Sequence, residues 1–178
     1  MSQNVLHIID HNGLGGAQTV VKGIVEYSNT HHVYFLRSKP NAVDIDIPHL
    51  TIKNHPKWDI FSHIFTLKQY INTHNITVVH CHLFRSNLIG WFLKRLFAPH
   101  ITLVIHEHGH IFRDDKRYVL ISKMLSSQAN AFIAISQATS EYLQSKAGVS
   151  PSKIHLLYNF VDLERFSARQ SDTKLESR

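Results

Sequence analysis

The sequence is poor in the features that would place it in several large classes. It has a single cysteine, Cys81, which excludes an internal disulfide and fits a reducing compartment. No apolar run approaches the length of a membrane span, because the stretch from Leu88 to Ala98 is interrupted by Lys94 and Arg95. The opening Met-Ser-Gln-Asn-Val-Leu-His has neither the basic nor the apolar region of a secretion signal. Internal repeats, low-complexity segments and Lys/Arg blocks are missing too. No recognition-helix, zinc-finger or RNP-like pattern is present, so nucleic acid is not expected as a partner. Together these absences predict a cytoplasmic protein, one that can still lie peripherally on the inner face of a membrane.

What is there is the composition of one globular domain. The 178 residues are 43% hydrophobic and 18% charged, enough to bury a substantial core. A formal charge of +6 favours anionic partners, which leaves acidic lipid headgroups and phosphorylated substrates.

Strand and helix patterns alternate along the chain. Strands are expected at Val5–Ile9, His32–Leu36, Leu50–Ile52, Ile76–Val79, Ile101–Ile105, Ala131–Ile135 and Ile154–Leu157. Helices are expected over Ala17–Ser28, over the stretch marked by Ile60, Ile64, Leu67 and Ile71, and over Ser86–Phe97, Arg117–Gln128 and Gln137–Lys146. Pro40, Pro48 and Pro56 break any helix between the second strand and Trp58. The continuous β-branched run of Ile76–Val79 predicts a strand covered by helices on both sides. This order predicts an α/β fold: a Rossmann-like parallel sheet with right-handed crossovers and helices on both faces, over residues 1–166. Residues 167–178 are polar and read as a linker or tail.

In such sheets ligands gather at the carboxyl ends of the strands. The segments that follow the strands are Asp10–Gly16, His80–His82, His106–His110, Ser136 and Asn159–Asp162. The first of them, with Gly13, Gly15 and Gly16, feeds directly into a helix. Backbone N–H groups at a helix N-terminus, with no Cβ atoms in front of them, suit a phosphate or another oxyanion. The dinucleotide fingerprint is not met, since Gln18 stands where a third glycine belongs and Arg37-Ser38 where an acidic residue belongs. The P-loop is not met either, because Gly16-Ala17-Gln18 lacks the Lys-Ser/Thr pair.

His106-Glu107-His108-Gly109-His110 matches H-E-x-x-H letter by letter. Zinc catalysis requires those two histidines one helical turn apart. The preceding strand and Gly109 predict an extended segment instead, which leaves a metal-dependent hydrolase using His106 and His110 as the lesser alternative.

The loop Gly15-Gly16-Ala17-Gln18, the segment His80-Cys81-His82, the pair His108-Gly109, and Ile135-Ser136 with Asn159-Phe160-Val161-Asp162 and Phe166 appear in a distinctive order. In that order they resemble the N-terminal domain of the GT-B retaining glycosyltransferases of family 4, also called group 1. The commonest family form has Gly where Phe160 stands. The resemblance implies transfer of a sugar from a nucleotide-sugar donor to a glycan or lipid-linked acceptor, in cell-surface polysaccharide or glycolipid synthesis. It implies phosphate contacts from Gly15 and Gly16, a catalytic-site contact from His108 to the reacting sugar or acceptor, and lesser substrate contacts from Gln18, Ser136 and Asn159. No cofactor and no metal are expected, because the family holds the diphosphate with backbone dipoles and basic side chains. The family's second, donor-gripping GT-B domain has no counterpart in this sequence, so the chain alone is expected to be inactive. A non-catalytic Rossmann-like glycan-binding module is the alternative from another class.

The helix with Leu88, Ile89, Trp91, Phe92, Leu96 and Phe97, flanked by Arg85, Lys94 and Arg95, admits two readings. Core packing against the sheet is the favoured one, and a face for an anionic membrane surface is the other.

Overall fold

The computed structural model describes residues 3–53, 59–109 and 116–160. Seven strands are present: β1 (Asn4–Ile9), β2 (His31–Phe35), β3 (Leu50–Ile52), β4 (Ile76–His82), β5 (Thr102–Glu107), β6 (Ala131–Ala134) and β7 (Ile154–Leu156). They form one sheet in the order β3-β2-β1-β4-β5-β6-β7, and every neighbouring pair is parallel. Five α-helices connect them: α1 (Gly16–Val25), α2 (Ile60–Thr73), α3 (Phe84–Phe92), α4 (Lys116–Ser126) and α5 (Gln137–Ser145). The chain steps outward from β1 to β3, then returns through α2 to lay β4 on the other side of β1. That reversal opens a crevice at the carboxyl ends of β1 and β4.

The two faces of the sheet are filled differently. On one, Leu6, Ile8, Tyr34, Val79, Cys81, Leu103, Ile105 and Phe132 pack under Ile64, Leu67 and Ile71 of α2, Ile89 of α3, Leu125 of α4 and Leu143 of α5. On the other, Ile9, Val33 and Phe35 pack under Ala17, Val21 and Val25 of α1. Alternation along each strand decides which side chain goes where. Ile8 and Ile9 are neighbours in sequence and belong to opposite cores.

Three expectations need correcting. β4 extends through His82 and β5 through Glu107, so His80, His82 and His106 are strand residues. The helix expected over Ser86–Phe97 is α3 followed by a π-helical turn at Leu93–Phe97. Among the described residues, apolar helix side chains cover β4 on one face, and its other face carries His80 and His82. Trp91 supports the core reading of α3, since its indole N–H donates to the Met124 carbonyl at 2.9 Å while Ile89 and Leu93 are buried. Val161, Asp162, Phe166 and the 166/167 boundary lie outside the described residues, as does His110.

Candidate functional site

The glycine loop follows β1, and its shape is set by neighbours. Leu14 N–H donates to the Asn41 carbonyl, Asn12 Oδ1 accepts from Lys39 N–H at 2.7 Å, and Gly13 forms an isolated bridge to Ala42. These contacts stitch the loop to the segment after β2. Gln18 is buried, and its amide donates to the His11 carbonyl and lies 3.1 Å from His11 Nδ1, which places Gln18 inside the loop as a brace. A Cβ at Gly16 would meet open space, so the loop presents bare backbone at the start of α1.

That helix end differs from the others whose starts are described. Asp59 caps α2 by accepting from Ser62 N–H at 3.0 Å, and Ser136 caps α5 by accepting from Thr139 N–H at 3.1 Å. At α3 the Asp10 carboxylate accepts from Ser86 N–H at 2.9 Å, from the Ser86 hydroxyl at 2.7 Å and from Arg85 N–H. Among the described residues, helix α1 has no side-chain cap and no acidic residue in its first turn. Its positive dipole end is therefore left for an external anion.

Cations surround it. An open cavity of about 330 Å³ is lined by His11, Gly13, Leu14, Lys39, Pro40 and Asn41. Burial lowers the His11 imidazole below its ordinary pKa; Asp10 opposes this, while Lys39, Arg37 and Arg85 reinforce it. Three cations against one carboxylate make this rim electropositive. Sequence reasoning missed Lys39 and did not connect Arg37 and Arg85 with the loop, because the segment after β2 carries no periodic signal and only the fold brings it and the start of α3 to this rim.

Beside the loop runs a row of histidines. Strand register places His7 of β1 next to His80 of β4, and His82 of β4 next to His106 of β5. His31 Nδ1 lies 3.0 Å from His7 Nε2, His7 Nδ1 lies 3.1 Å from His82 Nε2, and His82 Nδ1 lies 2.8 Å from His108 Nε2. His7 and His82 are fully buried, whereas His31 and His108 at the two ends are half-buried. His106 stacks on His108 with ring centroids 4.1 Å apart and on His80 at 5.3 Å. Burial drives His7 down to about 3 and His108 to about 4, and pushes His80 and His82 well below the usual imidazole value. All are neutral at pH 7. Both nitrogens of His106, Nε2 of His80 and Nδ1 of His108 are buried with no hydrogen-bond partner among the described residues. An unmade bond of this kind costs about 1–3 kcal/mol.

The turn from β4 into α3 adds a strained residue at the same rim, Leu83, at φ 73°. Glu107 accepts from Asn87 Nδ2 at 3.2 Å, and burial raises its carboxyl to about 7. With His106 and Glu107 in β5, the helical geometry of a zinc protease is not formed there, which removes the hydrolase alternative as it was framed. Gly15, Gly16 and His108 lie at one rim of the sheet, since they follow the carboxyl ends of β1 and β5. Ser136 is engaged as the α5 cap. Asn159 is exposed just after β7, where Phe160 lays its ring on Gly23 of α1.

A parallel sheet with a switch-point crevice and a glycine loop opening a helix at that crevice defines a Rossmann-like α/β domain. The family model described as Glycosyltransferase Family 4 matches residues 14–165, and the chain belongs to that family as an N-terminal GT-B domain. Among solved structures, the chain is similar to Anabaena HepE in complex with UDP, with a TM-score of 0.70 and 17% identity over 91% of this chain and 45% of that one. It is similar to sucrose-phosphate synthase from Thermosynechococcus elongatus (TM-score 0.64, 16% identity, 91% and 49% covered). A third similar structure is the lipopolysaccharide outer core galactosyltransferase WaaB (0.64, 18%, 89% and 46%). The chain thus spans about half the length of these proteins. Comparison with curated protein sequences finds no match.

Proposed function

We propose that the chain forms the acceptor-side half of a retaining glycosyltransferase that moves a sugar from a nucleotide-diphosphate sugar to a glycan or lipid-linked acceptor, in cell-surface polysaccharide or glycolipid synthesis. The observation that carries this reading is the shared rim: the uncapped N-terminus of α1 with Lys39, Arg37 and Arg85 on one side, and His108 on the other. HepE structures with UDP and with UDP-glucose support a nucleotide-sugar donor.

In this reading the Gly15–Gly16 backbone and Lys39 offset the charge that grows on the leaving diphosphate. Neutral His108 exchanges a hydrogen bond with a hydroxyl of the reacting sugar or acceptor. Asp10 is engaged at the α3 N-terminus and Glu107 with Asn87, so the leaving phosphate itself takes the acceptor's proton. Backbone dipoles and cations supply the charge, and no metal is needed for the transfer.

An anionic membrane surface is the proposed partner of a second region. Phe61 and Phe65 of α2 and Leu96 of the π-helical turn are 76%, 61% and 57% exposed, and Lys68 lies over the Phe97 ring. Aromatic side chains beside Lys68 and Arg95 suit a charged lipid interface. No helix among the described residues is long and apolar enough to cross a membrane.

The test is transfer from UDP-, GDP- and dTDP-sugars to lipid and glycan extracts by the chain joined to a donor-binding GT-B domain, with the anomeric configuration of the product read by NMR. His108→Ala is expected to lower kcat at least about 100-fold, and Lys39→Ala to weaken donor or acceptor binding about tenfold. Absence of transfer with every donor, or an inverted product, overturns the reading.

A further inference from the structure

At the rim of the sheet opposite the glycine loop, a second histidine group stands apart from the row described above. His32 begins the inward-facing part of β2, His49 immediately precedes β3, and His74 is the C-cap of α2. One ring nitrogen from each lies within 4.8 Å of the other two. The rings of His32 and His49 stack at 4.2 Å, and His74 approaches them at 5.1 and 5.9 Å.

Each residue is fixed by its own backbone. His49 offers its carbonyl to Val33 N–H at 3.0 Å, while His74 donates its N–H to the Tyr70 carbonyl and accepts from Asn4 Nδ2 at 2.9 Å. Tyr70 completes the arrangement, with its hydroxyl 2.9 Å from His32 Nδ1. When Nδ1–H donates to that oxygen, His32 is held in the tautomer that leaves Nε2 as a lone-pair donor. An outer hydrogen bond of this kind orients and strengthens a metal-binding imidazole.

We propose that His32, His49 and His74 bind a divalent transition-metal ion of the zinc type. Three imidazoles, with no carboxylate grouped with them among the described residues, suit zinc, copper or nickel and are poor ligands for calcium or magnesium. His32 is 4% exposed, while His49 and His74 are half-exposed and leave the ion a way in and room for water. The role is structural. β3 is a three-residue edge strand with Leu50 and Ile52 exposed, and the ion clips it to β2 and to the end of α2. Binding to the folded form alone stabilises that form by mass action.

The experiment is a zinc titration by calorimetry, with cobalt(II) absorption and thermal unfolding, on the intact chain and on His49→Ala, His74→Ala and Tyr70→Phe. Since His7-His80-His82 and His82-His106-His108 also group three nitrogens, the readout is a difference between proteins. Each histidine variant is expected to bind one zinc fewer than wild type and to lose the matching rise in Tm, while remaining folded by circular dichroism. Tyr70→Phe is expected to keep the stoichiometry and weaken that site about 10- to 100-fold. Unchanged zinc stoichiometry in His49→Ala and His74→Ala, or no zinc bound by wild type, overturns the proposal.

Discussion

The two faces of this one sheet solve the same burial problem with opposite chemistry. Under α2, α3, α4 and α5 the strands contribute Leu6, Ile8, Val79, Leu103, Ile105 and Phe132, which gain from leaving water in proportion to area. On the α1 side the apolar surface of Ile9, Val33 and Phe35 gives way to His7, His80, His82 and His106, which are almost as deeply buried. Imidazoles are tolerated there because they are neutral and several of them bond one another. Titratable groups are fewer on the apolar face, where His32 lies beside Leu6 and Glu107 follows Ile105 by two residues, while the histidine face is stable only where its rings stay uncharged.

The comparison can be broken from either side. Leu67→Ala, on the apolar face, leaves a cavity under a fully buried side chain and is expected to destabilise by about 2–5 kcal/mol at any pH between 5 and 8, read by urea unfolding. Acidification attacks the other face. Folded pKa values of about 3 for His7 and about 4 for His108 lie below the ordinary 6.5, so the unfolded chain binds more protons in between. Stability is full above pH 6.5 and falls as pH drops toward 4. Glu107, raised to about 7, works in the other direction, but it is one carboxyl against a row of imidazoles. Tm is expected to be lower at pH 5 than at pH 7.5 by about 10 °C, checked by calorimetry. The smallest effect sharpens the contrast. His80→Phe removes a buried ring whose Nε2 has no partner among the described residues, and is expected to change stability at pH 7.5 by less than about 1 kcal/mol. The same variant should lose less Tm than wild type between pH 7.5 and 5.

The element order was legible because β-branched runs and helical spacing alternate along most of the chain, broken between β2 and β3 by the Pro-punctuated stretch. The extent of β4 and β5 was not. Ile76–Val79 looked like a whole strand because the β-branched run ends there, and periodicity cannot say how far the pairing continues through His80 and His82. The cation rim escaped for a different reason. Lys39 sits in a Pro-punctuated stretch whose path is fixed by Asn12 and by the Gly13–Ala42 bridge, contacts between segments far apart in sequence. For Gln18 the resemblance implied a substrate contact, and the fold adds what no motif shows, that its amide donates to the His11 carbonyl.

The chain of imidazoles from His31 to His108 has a consequence in proton counting. Four neutral rings carry four N–H hydrogens, and each of the three contacts between them can hold only one. The fourth hydrogen must then sit at one terminus of the row, leaving a lone pair at the other. A sugar hydroxyl that asks His108 Nδ1 to accept rather than donate thereby reverses every ring behind it, and the change surfaces at His31 near the far edge of β1 without any heavy atom having to move.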